Sequence, residues 1–166
     1  MNNNSLADTH SVFNQPKPLA NYNAFSADEV LQYWLTRFGG SWGAPMLCNF
    51  GEGIGGSLLE AGFLANKHLP EFVSHNRFGE RIDQVDYHPA YHQLLRHAVQ
   101  SGHCALPWLE SKSGSHVVRG ALAFLHSHAD PGSGCPLTMT FASVPAIAVQ
   151  KEVADRCLPK ILSRHY

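Results

Sequence analysis

Gly51-x-Gly53-x-x-Gly56, within NFGEGIGGSLLEAGFLAN from Asn49 to Asn66, has the spacing of a dinucleotide-binding turn. In such a turn the glycines let a backbone approach a pyrophosphate resting on a helix N-terminus. The fold around it requires a buried strand before the glycines and a second strand ending in an acid about 20 residues on. The run Met46–Phe50 contains Asn49 and no β-branched residue, and NKHLPE before Glu71 is no strand. The residues therefore predict that the glycines begin or enter a helix, or that a helix starts only after Gly56, with space left for another backbone. Each glycine in a helix interior costs about 1 kcal/mol relative to alanine, which tertiary packing must offset.

His88-Pro-Ala-Tyr-His92 sets two imidazoles four residues apart, a spacing at which one helix face can hold zinc. Pro89 stands where a zincin has its glutamate, so the pair reads as a capping and surface feature; His116, His126 and His128 complete no ligand set. Cys135 lies near a helix start, where the dipole lowers a thiol pKa, but no histidine base is identifiable, and it reads as a buried, inert cysteine. Ser57 is not in a G-x-S-x-G elbow. Residue types and spacing assign no catalytic residue, no metal ligand and no cofactor-binding residue.

Helices must position whatever chemistry exists. Residues 1–25, with Pro16 and Pro18, read as an extended arm whose Val12, Phe13, Leu19 and Phe25 dock onto something. Ser26-Ala-Asp-Glu29 has the form of a capping box, followed by Val30, Leu31, Trp34, Leu35 and Phe38 at helical spacing and a stop at Gly39-Gly40. Leu58–Ala65 is helical, and Pro70 ends it. Glu71–Tyr87 predicts a two-stranded hairpin around a turn carrying Asn76 and Gly79, with Gly79 at positive φ. Pro89 opens a further helix that Gly102 closes, and Ser115–His128 forms another. Gly114 falls in a loop, where alanine should matter less than valine at Gly79. A helix from Pro136 to about Val149 is disturbed at Pro145, and an amphipathic piece follows around Val153–Leu162.

At 166 residues, 44 % apolar and 15 % charged, the chain suits one globular domain, here residues 26–166 behind the arm. A formal net charge of −1 without like-charge runs gives no electrostatic reason to attract nucleic acid or anionic lipid. No apolar stretch approaches the ~20 residues that span a bilayer. Four cysteines without a C-x-x-C pair, and an opening without a secretory signal, predict a cytoplasmic protein with reduced thiols.

Three stretches in order, THSVFNQPKPL (Thr9–Leu19), RIDQVDYHPAYH (Arg81–His92) and CPLTMTFASVP (Cys135–Pro145), together resemble the N-terminal region of AidB-type, adaptive-response members of the acyl-CoA dehydrogenase family. The resemblance implies a mainly α fold, the acyl-CoA dehydrogenase N-terminal helical domain, with an extended arm and one small β-hairpin. It further implies a tetrameric flavoprotein of the DNA-alkylation response, with FAD held between a middle β domain and a C-terminal bundle. Neither of those domains is recognisable here, so the chain reads as a truncated first domain, inactive and without FAD alone. Its implied partners are the missing domains and further copies of itself. In such enzymes a helix of this domain walls the acyl pocket, and Thr138, Met139, Thr140 and Phe141 lie on the matching segment. The alternative is a free-standing helical interaction module without catalysis.

Overall fold

The computed structural model describes residues 11–166; residues 1–10 of the predicted arm, including Thr9, lie outside the described residues. Eight α-helices and one hairpin follow in chain order: α1 (Glu29–Arg37), α2 (Ala44–Ile54), α3 (Ser57–Lys67), β1 (Glu71–His75), β2 (Arg81–Asp86), α4 (Pro89–Gln100), α5 (Leu106–Leu109), α6 (Ser115–Ala129), α7 (Gly134–Ala148) and α8 (Lys151–Ile161). A short 3-10 turn, Ser41–Gly43, leads into α2. The expected mainly helical fold with one antiparallel two-stranded sheet is what forms. No described helix is long and apolar enough to cross a membrane.

The main core gathers Leu47, Phe50 and Ile54 of α2, Leu58 and Ala61 of α3, Leu94 of α4, and Val118, Leu122 and Leu125 of α6. Full burial of each Leu or Phe side chain contributes about 1.5–3 kcal/mol. A smaller cluster of Leu95, Ala98, Cys104 and Leu137 ties α4 to α7.

The glycine motif is a seat for the chain itself. Gly51 and Gly53 lie inside α2, Gly55 caps it, and Gly56 precedes α3. The Ala24 amide donates to the Gly51 carbonyl at 2.9 Å and the Tyr22 amide to the Gly55 carbonyl at 3.3 Å. A β-carbon at Gly55 would overlap the Tyr22 carbonyl, and one at Gly51 would lie 2.5 Å from the Phe25 nitrogen. The missing side chains thus admit a backbone, as the residues predicted. The end of the arm enters the core here, with Ala24 and Phe25 buried.

Two local expectations are corrected. Ser26 and Glu29 form no capping box; the N-cap of α1 is Asp28, whose Oδ1 accepts from the Leu31 amide at 2.8 Å. Ser26 is committed elsewhere, because Asn23 Oδ1 accepts from the amides of Phe25 and Ser26 and folds this stretch into an Asx turn. Gly114 is no tolerant loop position either. It sits at φ +77°, and its β-carbon would overlap the carbonyl of Gly39 across a close backbone crossing. Gly79, at φ +82°, has the left-handed turn conformation expected of it, and a β-carbon there would meet nothing within 4 Å.

With alanine at both positions, the crossing at Gly39 makes Gly114 the costlier site. Gly79→Ala should cost about 1 kcal/mol, from backbone conformation alone. Gly114→Ala adds steric overlap and should cost about 2 kcal/mol or more. Urea denaturation of the two variants measures this, and equal losses would contradict the crossing at Gly39.

Candidate functional site

The predicted substrate-wall segment occupies the first half of α7. Its four residues point in different directions, because successive residues on an α-helix turn by about 100°. Thr138 and Phe141 face α6, where Arg119 Nη2 donates to Thr138 Oγ1 at 3.0 Å and the guanidinium carbon lies 4.2 Å from the Phe141 ring centroid. Arg119 Nε also donates to the His103 carbonyl at 3.2 Å. Thr140 borders a cleft of about 290 Å³ with Leu95, Val99, Leu137, Ile161 and Tyr166. Met139 is on the outer face, 67 % exposed, with Cys135 Sγ 3.9 Å from its sulfur.

Pro145 sits inside α7 without ending it. Its missing amide leaves the Phe141 carbonyl without the usual helical donor. Trp108 of α5 supplies the replacement: its Nε1 donates to that carbonyl at 3.1 Å while its ring stacks on Phe141 at 5.1 Å. Trp108 thereby fixes α7 against α5, and His116 packs its edge on both rings. Trp108→Phe should destabilise the fold by about 1–2 kcal/mol. In a Pro145→Ala background the helix regains its own donor, so the same change should cost less. A double-mutant cycle by thermal unfolding reads this coupling; strictly additive losses would disprove it.

The outer face of α7 is apolar throughout. Cys135, Met139, Ala142, Ala146 and Val149 recur at helical spacing and are all exposed, and the helix carries no charged residue. Only Leu137 and Val144 of α7 are buried. A charge-free helix with an apolar stripe on its outer face as well as buried residues on its inner one is built to be covered on more than one side. Cys135 is thus exposed rather than buried as the sequence suggested, because its side chain falls on this outer stripe.

Neither Cys135 nor Cys104 is hydrogen-bonded to a histidine base. Cys135 meets only a thioether, and burial pushes the Cys104 thiol up to about 11, away from the reactive thiolate. His88 and His92 also have separate tasks. The His88 Nδ1 accepts from the Ala90 amide at 3.2 Å while its ring stacks on His68, and His92 Nδ1 lies 2.7 Å from the Tyr166 hydroxyl. Among the described residues no group of His, Cys, Asp or Glu is disposed to hold a metal ion.

Three further histidines, which nothing in the sequence separates from the rest, form the polar interior. His97 stacks on Phe50 at 4.6 Å, His126 lies 2.7 Å from the Ser133 hydroxyl, and the His103 and His126 rings stand 5.8 Å apart. His97 Nε2, His103 Nδ1 and His126 Nδ1 are buried without a protein partner. Burial, with Arg119 and His126 close by, lowers His103 from 6.5 to about 3; burial also lowers His126 to about 4, and lowers His97. The unfolded imidazoles therefore take up protons first on acidification. Their contribution to stability is fully present above pH 6.5 and is lost as the pH falls towards the native values, at about 1.4 kcal/mol per unit for each group. Calorimetry should show a melting temperature that drops steeply between pH 6.5 and 4.5; a flat profile would contradict neutral burial.

Residues 14–166 match the family described as "Adaptive response protein AidB N-terminal domain". The chain belongs to the AidB N-terminal-domain family. It is 40 % identical over 141 residues to AidB of Escherichia coli (strain K12), whose name places it with the acyl-CoA dehydrogenases; the match covers 84 % of this chain and 26 % of that protein. Among solved structures, the apo form of Bd2924 superposes with a TM-score of 0.83 at 27 % identity, covering 93 % of this chain and 32 % of that one. Caenorhabditis elegans ACDH-11, solved in complex with C11-CoA, superposes with a TM-score of 0.80 at 19 % identity, covering 95 % and 29 %, and shows a shared fold. The chain spans about a quarter of the curated relative, 26 %, and about a third of each solved neighbour, 32 % and 29 %.

FAD is the cofactor that the acyl-CoA dehydrogenase relatives imply for a full-length protein. The glycine motif does not fit it. A pyrophosphate would need the backbone space that Tyr22–Phe25 fill, and no strand leads into the glycines.

Proposed function

We propose that this domain serves as the N-terminal helical part of an AidB-like, FAD-dependent acyl-CoA dehydrogenase, in which middle and C-terminal domains cover the outer face of α7. The uncovered apolar stripe Cys135–Met139–Ala142–Ala146–Val149 on a helix without charge carries this reading. Met139 is the residue of the predicted four that meets the acyl chain from this face. Thr138 and Phe141 set the helix against Arg119, and Thr140 closes the inner cleft. Oxidation at a CH–CH bond, and a place in protection against DNA alkylation, belong to the assembled protein, which is a homo-oligomer on this reading. FAD bound in the assembled protein would supply a hydride acceptor; this domain's share would be to shape the pocket and exclude water. The 40 % identity with the E. coli relative supports that division of labour.

The test co-expresses this chain with E. coli AidB lacking its own N-terminal domain. The two parts should co-purify as a yellow complex, and Met139→Glu should abolish co-purification. Alone, the chain should be colourless and bind a dye for exposed apolar surface. A chain that binds FAD by itself would overturn the reading. A folded chain that ignores both the dye and the remaining domains would favour the free-standing interaction module.

A further inference from the structure

We propose that the outer edge of β1 pairs with the same edge of a second copy of this chain, making a continuous four-stranded antiparallel sheet about a two-fold axis at Val73. This inference does not rest on the flavoprotein reading. It starts from a hairpin that stands clear of the helices. Every residue of β2 is exposed, and of β1 only Val73 is partly covered. Phe72 and Val85, opposite each other, are 65 % and 47 % exposed. A lone two-stranded sheet is marginally stable in water and gains from further strands.

The two edges are unequal. Between the pairs Val73↔Gln84 and His75↔Arg81, β1 has one residue and β2 has two, Ile82 and Asp83. Asp83 takes φ +44°, and its carboxylate binds Arg81 Nε at 2.8 Å inside the bulge. Such a bulge twists an edge out of pairing geometry. The β1 edge is regular. The Asn76 amide bonds inward to the Glu80 carbonyl at 2.9 Å, so by strand alternation Ser74 and Phe72 also bond inward. The amide and carbonyl groups of Glu71, Val73 and His75 are left on the outer edge, and among the described residues no strand pairs with it.

Charge selects the occupant. Within one hairpin, Glu71 faces Asp86 at the base, carboxylate opposite carboxylate, while His75 faces Arg81 near the tip. Like charges directly opposite are unfavourable. Two-fold pairing at Val73 puts Glu71 against the second copy's His75 and brings the base of each hairpin beside the tip of the other. The rows across the joined sheet then run Asp86, Glu71, His75, Arg81: two carboxylates, then an imidazole and a guanidinium. The imidazole N–H donates to the carboxylate, and Val73 meets Val73 at the axis. A second copy of this chain supplies Glu71 with the hydrogen-bond donor that its own hairpin, with Asp86 opposite, does not, while Arg81 keeps Asp83.

Sedimentation equilibrium of the 166-residue chain across the micromolar range tests this. The chain should dimerise. Glu71→Lys breaks two symmetric contacts and should weaken the dimer about tenfold, and adding His75→Glu should restore most of the loss. Val73→Pro, at an outward amide, should give monomer while circular dichroism remains that of the parent. Met139→Glu, which addresses α7, should leave the hairpin-dependent dimer in place. The proposal is overturned by a chain that stays monomeric throughout, by a dimer that Val73→Pro does not weaken, by a charge exchange that fails to rescue, or by a dimer that Met139→Glu dissolves.

Discussion

Two backbone hydrogen bonds, from Tyr22 to Gly55 and from Ala24 to Gly51, join a non-helical segment to the side of a helix with no side chain between them. Much of the interior is arranged around that contact. It delivers Ala24 and Phe25 to the core and leaves Asn23 to donate to the Cys48 carbonyl at 2.8 Å and to cap the turn before α1. It also demands glycines in a helix, a local penalty of about 1 kcal/mol each that only tertiary contact offsets. On the neighbouring turn of α2, Gly53 leaves room for His97 to lie flat on Phe50. The motif with the spacing of a nucleotide cradle is a polypeptide seat, and the two share one requirement: close approach to backbone.

That shared requirement explains what is legible in the sequence. Glycine spacing reports that something comes near, and only the flanking elements say what. The helices from Ser57, Pro89 and Ser115 and the hairpin at Asn76–Gly79 are readable because their signals are local: apolar period, a first-turn proline, a turn glycine. α5 and α2 are not, since Leu106–Leu109 is a single turn with no apolar period to read and Ala44–Ile54 carries Gly51 and Gly53 in its interior, where propensity argues against helix. The apparent cap at Ser26 misplaces the start of α1 by two residues because Asn23, upstream of it, takes the Ser26 amide that the capping box would have used. In the segment Thr138–Phe141, proposed as a substrate wall, resemblance locates the stretch but presents four consecutive residues as one surface. Helical winding separates Met139 from Thr140 and Phe141, and only the folded chain shows which partner each one meets.

The interior is more polar than the composition suggests. His103 and His126 are buried and His97 half-buried, each with a buried nitrogen that has no protein partner. The sequence offers eleven histidines and no means of ranking them, because burial of an imidazole depends on elements distant in the chain. The outer face of α7 is the converse: charge-free residues lie outside while titratable ones lie inside. Such an inversion is costly for an isolated body and ordinary for one layer of a larger assembly, where the outer stripe of α7 is interior too.

The bulge at Asp83 has a consequence for how far association can proceed. A hairpin with two open edges can recruit a neighbour on either side, and each recruit presents a fresh edge, which is the geometry of a growing fibre. Blocking one edge by a single extra residue leaves a valence of one. Once the β1 edges meet, both remaining borders of the sheet are bulged β2 strands, and the assembly is closed by its own symmetry.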